Sequence, residues 1–256
     1  MLRFFRKFRK QLINSKSFSK YLVYAVGEIL LVMVGILLAL QVNNWNEDRK
    51  AKAIEIAMYK EIKSDIVESV GDIESGLSVQ YSGLRRSLLI QKCIKNKLPE
   101  SDSFGLLLIL SDDDDQFFPK TSGFEALKSV GLTSLKNDTL RESITGLFQL
   151  GFDRIIQLGR EQRKTSALVN LSELVKNYIQ RNNNIQFYRT TSRIDSIPYY
   201  ELEVNNYDAF LKDRSLETTL MDAIHYRINK IGSYERTLAA VSNVISDIDA
   251  ELKRLE

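Results

Sequence analysis

Four consecutive aspartates, Asp112–Asp115, form the densest group of potential ligands in the sequence. Carboxylate oxygens could collect a calcium ion, which takes six to eight oxygens from a shaped loop. The run lacks the alternating spacing and the turn glycine of an EF-hand, so the competing reading is a solvated acidic loop. The one histidine, His225, follows Asp222 by three residues, a spacing at which a carboxylate could orient an imidazole for base catalysis. No second histidine, no G-x-S-x-G elbow and no compelling nucleophile accompanies it, which favours a structural or surface histidine. The one cysteine, Cys93, has no histidine near it in sequence and lies on a helical pattern, which suits packing. An intermolecular disulfide in an oxidising compartment is its alternative. One Cys and one His leave no internal disulfide framework and no multi-cysteine zinc site. The chain has no Gly-rich phosphate loop and no Walker-type lysine. No catalytic, cofactor-binding or metal-binding residue is therefore assigned, no cofactor is expected, and the sequence does not read as an enzyme.

The elements that would position such residues are helices. The chain has 256 residues, 44% hydrophobic and 27% charged, with only 12 Gly and 3 Pro. That composition suits a sizeable core and long helices better than a turn-rich β fold. The net charge of +3 and pI near 8.8 come from one end. Arg3, Arg6, Lys7, Arg9, Lys10, Lys16 and Lys20 occur within the first twenty residues with no acid among them, and the rest has no basic excess. A nucleic-acid partner is not expected. Phe4, Phe8 and Leu12 recur at helical spacing among these cations. The tail is either a short amphipathic helix on an anionic bilayer surface or a set of topology-fixing charges.

Residues 21–43 read as a transmembrane helix. Tyr21 to Val42 contains only Glu28 and Gln41 as strongly polar groups. At about 1.5 Å per residue it spans a hydrocarbon core of about 30 Å. Tyr21 and Tyr24 at one end and Trp45 past the other fit an aromatic belt. The run exceeds a usual signal-peptide core and no A-x-A site follows, so it reads as an uncleaved signal anchor. The flanking Lys/Arg bias keeps residues 1–20 in the cytoplasm and exports residues 46–256. Within the span, Glu28, Val32, Gly35, Ala39 and Asn43 share one helical stripe, and Gly35 with Ala39 forms a small-xxx-small pair. This stripe is the candidate contact face for another protein or a second copy, with Glu28 paired to a polar group there. The alternative is a Glu28 that snorkels and small residues that are incidental.

The exported part reads as mainly α: an antiparallel bundle of long helices. Ile62, Ile66, Val70, Ile73, Leu77, Tyr81, Leu84 and Leu88 suggest an 11-residue repeat in a helix that runs to about Lys97, nearly straight or slightly right-handed. Gly71, Gly76 and Gly83 weaken it locally. Ile231, Tyr234, Leu238, Val241, Ile245, Ile248, Leu252 and Leu255 alternate three and four, and Ile224 and Ile228 extend this coiled-coil-like seam backwards. Leu140 to about Gln180 is a third helical stretch that Gly151 and Gly159 could bend. Gly123 to Gly131 (GFEALKSVG) reads as a short helix closing at Gly131, and Asn137-Asp138 as the cap of the next. Residues 182–206 read as extended or looped.

The segments RFFRKFRKQLI and FSKYLVYAVGEILLVMVGILLALQVNNWNE resemble the opening of an uncharacterised single-pass membrane-protein family of the Bacteroidota. The matching residues include Gly27, Glu28, Gly35, Gln41, Asn43, Asn44 and Trp45. Phe124 to Ile144 is similar to a segment of that family's exported part. The resemblance implies an inner-membrane protein with a periplasmic helical body, and it carries no activity or site residue. The expected function is a non-enzymatic interaction or scaffold role, partnered by the bilayer and by a protein or second copy at the membrane helix. The rival is a periplasmic ligand-sensing bundle that acts through a separate transducer.

Overall fold

The structure is a computed structural model and describes residues 18–101, 104–165, 167–189 and 197–256. The basic residues Arg3 to Lys16 of the tail lie outside the described residues. The fold is mainly helical. In chain order the elements are α1 (Phe18–Asn96), α2 (Phe104–Ile109), a 3-10 turn (Leu110–Asp112), α3 (Ser122–Val130), a second 3-10 turn (Leu132–Ser134) and α4 (Asp138–Gly146). A π-helical turn (Leu147–Phe152), α5 (Asp153–Thr165), α6 (Ala167–Lys176), β1 (Ile179–Arg189), β2 (Ile197–Val204), α7 (Tyr207–Phe210) and α8 (Arg214–Leu255) follow. The chain divides into two compact units at Glu55/Ile56, and each is described by itself.

In the first unit, α1 supplies the apolar stretch. It is long and apolar enough to cross a membrane, and its hydrophobic side chains from Val26 to Val42 are exposed within the chain.

In the second unit, α1 ends as expected. Lys97 adopts a left-handed conformation (φ 47) and the Leu98 N–H donates to Cys93 O at 3.1 Å, which closes the last turn. Helix α8 starts on Asp213, whose carboxylate accepts from the N–H groups of Ser215 (2.8 Å) and Leu216 (3.2 Å). Lys63 pairs with Asp249 at 2.5 Å, and Gln91 lies against Met221. Partners descend along α8 as they ascend along α1, so the two helices run antiparallel.

The packing does not follow the 11-residue repeat. The buried stripe of α1 is Tyr59, Ile62, Ile66, Ser69, Ile73, Gly76, Gln80, Gly83, Ser87, Ile90 and Ile94. The spacing alternates three and four throughout, which is a seven-residue period. Tyr81 and Leu88, placed on the apolar side by the sequence pattern, are exposed. Counting only apolar residues misses this stripe because its middle is polar or has no side chain. The buried stripe of α8 has the same period: Leu216, Leu220, Ala223, Arg227, Lys230, Tyr234, Thr237, Val241, Val244, Ile248, Glu251 and Leu255. Ile231, Tyr234, Val241, Ile248, Leu252 and Leu255 are buried as the sequence pattern predicts, whereas Ile228 is exposed.

Two apolar cores form on this pair. One joins Tyr59 to Ile73 of α1 with α3, α4, the π turn, α5 and the C-terminal half of α8. Phe124 and Phe148 stack there at 4.5 Å, and Phe117 and Phe148 both meet Phe152 edge-on. The other joins Ile90 and Ile94 with α2, α6, Val204, α7 and the N-terminal half of α8. The short helix α3 forms as predicted, and Gly131 (φ 108) ends it. Asn137 caps α4, its side chain accepting from the Leu140 N–H at 3.1 Å. The third stretch is helical over Asp138–Thr165, passing through the π turn at Gly151, and again over Ala167–Lys176. Residues 182–206 hold most of an antiparallel β1–β2 hairpin, with a register irregularity between Arg181 and Gln186. The extended reading holds over residues 182–189 and 197–204, and the pairing of the two strands is what the sequence pattern did not foresee.

Candidate functional site

The stripe predicted on the apolar helix lies on α1 in the first unit. Val32 is 55% exposed. Gly35, Ala39 and Asn43 are exposed, and Glu28 is partly so. A methyl group at Gly27 or Gly35 would meet nothing within 4 Å. The face is thus open along its small residues.

The most concentrated chemistry lies between the two apolar cores of the second unit, where the stripes of α1 and α8 turn polar. Arg227 and Lys230, one turn apart on α8, are 0% and 1% exposed. A buried cation is costly unless it is paired and hydrogen-bonded. Here the aspartate run supplies both needs. Arg227 donates to Gln80 Oε1 (3.1 Å), to Ser111 O (2.8 Å) and to Asp113 O (2.7 Å). Lys230 Nζ donates to Asp114 Oδ1 (2.7 Å) and Asp115 O (2.8 Å), with Asp115 Oδ1 at 3.1 Å. Gln80 Nε2 donates to Asp114 Oδ1 at 2.6 Å and also to Asp115. Tyr226 donates to Asp114 Oδ2 (3.1 Å), Tyr234 donates to Asp115, and Arg86 reaches Asp113 Oδ2 (3.1 Å). Burial first, and then the neighbouring carboxylates, push the Tyr226 and Tyr234 hydroxyls far above the ordinary phenol value. Burial pulls the Arg227 guanidinium below its ordinary value, and the charge of Asp114 opposes that.

Two glycines make the room. A Cβ on Gly83 would lie 2.2 Å from Arg227 Cζ, and one on Gly76 would lie 2.5 Å from Asp115 Oδ2 and 2.7 Å from the Tyr234 hydroxyl. Neither glycine is a mere weak point in the helix. Each is the gap through which a polar side chain of α8, or of the strap Ser111–Asp115 that runs over the helix pair, crosses α1. The outer side of the strap, with Asp112, Asp114 and Asp115, faces α5 and α6 across a cavity of about 410 Å³ that Gly159, Ser172 and Glu173 also line.

The aspartate run is therefore not simply a solvated loop. Asp114 and Asp115 are the counter-charges of buried cations. Among the described residues no group of three or more His, Cys, Asp and Glu is arranged to hold a metal ion. His225 and Asp222 are exposed on α8 and form no part of the layer. Cys93 is a free thiol beside the second core, and burial raises its pKa. Sequence reasoning missed Gln80, Gly76, Gly83, Arg227 and Lys230. The available signal was a three-four seam on α8 that continues through an arginine and a lysine. Two buried-seam cations require anions, and the aspartate run is the concentrated supply.

The chain matches the family of unknown function DUF6090 over residues 28–180. This is more than half of its length, and it belongs to that family. The match takes in the apolar helix from Glu28 onward, the aspartate strap and helices α2 to α6. No curated protein and no solved structure matches the chain. The resemblance read from the N-terminal segment thus agrees with membership of an uncharacterised family.

Proposed function

We propose that the protein is a membrane-anchored, non-enzymatic interaction protein. In this reading residues 21–43 cross the inner membrane of a Bacteroidota cell as a signal anchor, with residues 1–20 in the cytoplasm and residues 46–256 in the periplasm. The seven cations before the span support that orientation. The single observation that carries the docking role is the open stripe of Glu28, Val32, Gly35, Ala39 and Asn43, where Gly35 leaves space for a second helix to approach. A photo-crosslinking residue at Val32 tests it in living cells. A discrete adduct with one protein or a second copy is expected. No adduct at Val32 or at Gly35 would reduce the span to an anchor. Cysteine-accessibility labelling at the C-terminus checks the topology.

The cavity beside the aspartate strap favours one second reading, a helical bundle that senses a small periplasmic ligand through a separate transducer. Thermal shifts of the full chain across a metabolite panel separate the two readings. Under the interaction reading no metabolite moves the transition.

A further inference from the structure

We propose that the layer of Gln80, Arg227, Lys230 and the strap Ser111–Asp115 is a register pin that selects one alignment of α8 along α1. Both helices bury stripes with the same three-four spacing. Apolar stripes of that period superpose again after a slip of seven residues, so their spacing alone does not choose among alignments. The polar layer does choose. In the observed alignment Arg227 crosses Gly83 and Tyr234 crosses Gly76. A slip of one repeat in one direction carries Arg227 against Ile90, where a branched side chain fills the gap. A slip in the other direction brings Arg227 to Gly76 but carries Lys230 from the level of Gln80 to that of Ile73. It also draws both cations away from the backbone carbonyls of Ser111, Asp113 and Asp115. Every other alignment leaves a buried cation without its acceptors, and such a charge disfavours that alignment strongly. Apart from the Gln80 contact, the hydrogen bonds described for Arg227 and Lys230 end on the strap. The pin is therefore a third chain segment inserted against two helices.

Crosslinking in the full chain tests the pin. In a Cys93→Ser background, Lys63→Cys with Asp249→Cys reports the observed alignment, because these residues form an ion pair across the helices. Lys63→Cys with Ser242→Cys reports the slip toward Gly76. With the layer intact, a short bifunctional thiol reagent is expected to join the first pair and not the second. Replacing the layer by apolar or neutral groups (Gln80→Leu, Arg227→Leu, Lys230→Leu, Asp114→Asn, Asp115→Asn) is expected to keep the helical content and to raise the second crosslink to a yield comparable with the first. A first-pair crosslink that stays alone and undiminished overturns the proposal. Should that variant lose its helical content, Asp114→Asn with Asp115→Asn alone keeps the shape of the strap while removing the two carboxylates that pair with Lys230. There Lys230 has lost both of its carboxylates, so the first crosslink must fall and the second must appear. Unfolding of both variants also overturns the pin, since the layer would then be required for folding itself and not for the choice of alignment.

Discussion

Replacing Gly83 by alanine sets helix propensity against the packing of the charged layer. Propensity favours the change, because glycine inside a helix costs about 1 kcal/mol relative to alanine. The structure opposes it, because the added methyl carbon would sit 2.2 Å from Cζ and Nη1 of Arg227 and 2.6 Å from Nη2. The obstacle is a guanidinium held by Gln80, Ser111 O and Asp113 O, not the free end of a mobile chain. Displacing it separates a buried charge from its acceptors, a loss of about 3–5 kcal/mol. After the propensity gain, the net destabilisation is about 2–4 kcal/mol, or a fall in Tm on the order of 10 °C for a unit of this size. Gly71→Ala is the control. It lies on the same helix, and a methyl there meets nothing within 4 Å, so the variant should gain up to about 1 kcal/mol. Urea titration of the full chain in detergent, followed by far-ultraviolet circular dichroism, gives both values. A Gly83→Ala protein as stable as Gly71→Ala would refute the claim that Arg227 needs that gap.

Asp65→Ala should destabilise the second unit by about 1–2 kcal/mol in the same titration, because its carboxylate accepts from Ser122 Oγ (2.7 Å) and from the Gly123 N–H (2.6 Å) at the start of α3. Asp115→Ala should cost about 3–5 kcal/mol by removing an anion from Lys230, and a change under 1 kcal/mol would contradict the pairing. Glu251 lies below the usual carboxylate range, chiefly because Arg254 hydrogen-bonds it, and Asp213 does so chiefly because Tyr178 does. A carboxylate with a depressed folded-state pKa stabilises the fold above its unfolded value and loses that contribution as pH falls through the folded one. Thermal stability should therefore drop below about pH 4, and the drop should be smaller in Glu251→Gln with Asp213→Asn. Burial raises the Cys93 thiol, so maleimide labelling at pH 7 should be slower than for a free thiol and should accelerate in urea.

The helices were legible because apolar residues at three-four spacing, few prolines and recognisable caps all favour them. The C-terminal seam, the short helix closed by Gly131 and the Asn137 cap needed only local chemistry. The stripe of α1 was misread because the information lay in residues that a hydrophobic count ignores. Ser69, Gly76, Gln80, Gly83 and Ser87 are buried, yet none is a large apolar residue. The pattern through Tyr81 and Leu88 therefore looked better than the true one. The strand pairing escaped because, after Ile179, the first strand continues through Gln180, Arg181 and a run of asparagines, which has none of the β-branched alternation that marks a strand. The role of the aspartates depended on a cross-helix contact more than a hundred residues away in sequence, with the consequence that spacing alone read them as loop.

The strap links the two cores as well as neutralising the cations between them. Phe104 and Leu108, just before it, are buried in the core around Ile90 and Ile94, whereas Phe117, just after it, is buried in the core around Ile62 and Ile66. The chain must pass from one core to the other over the helix pair, and it does so where Gly76 and Gly83 leave α1 thin. An uncharged strap would cross the same gap, but it would leave Arg227 and Lys230 without anions. Apolar residues at 227 and 230 would remove that need, and exchanging a whole buried ionic group for apolar residues is often neutral or stabilising. Net stability therefore does not explain why cations and aspartates occupy the gap together. Directional contacts do: three carbonyls, two carboxylates and one amide can all be met at only one position of α8 along α1.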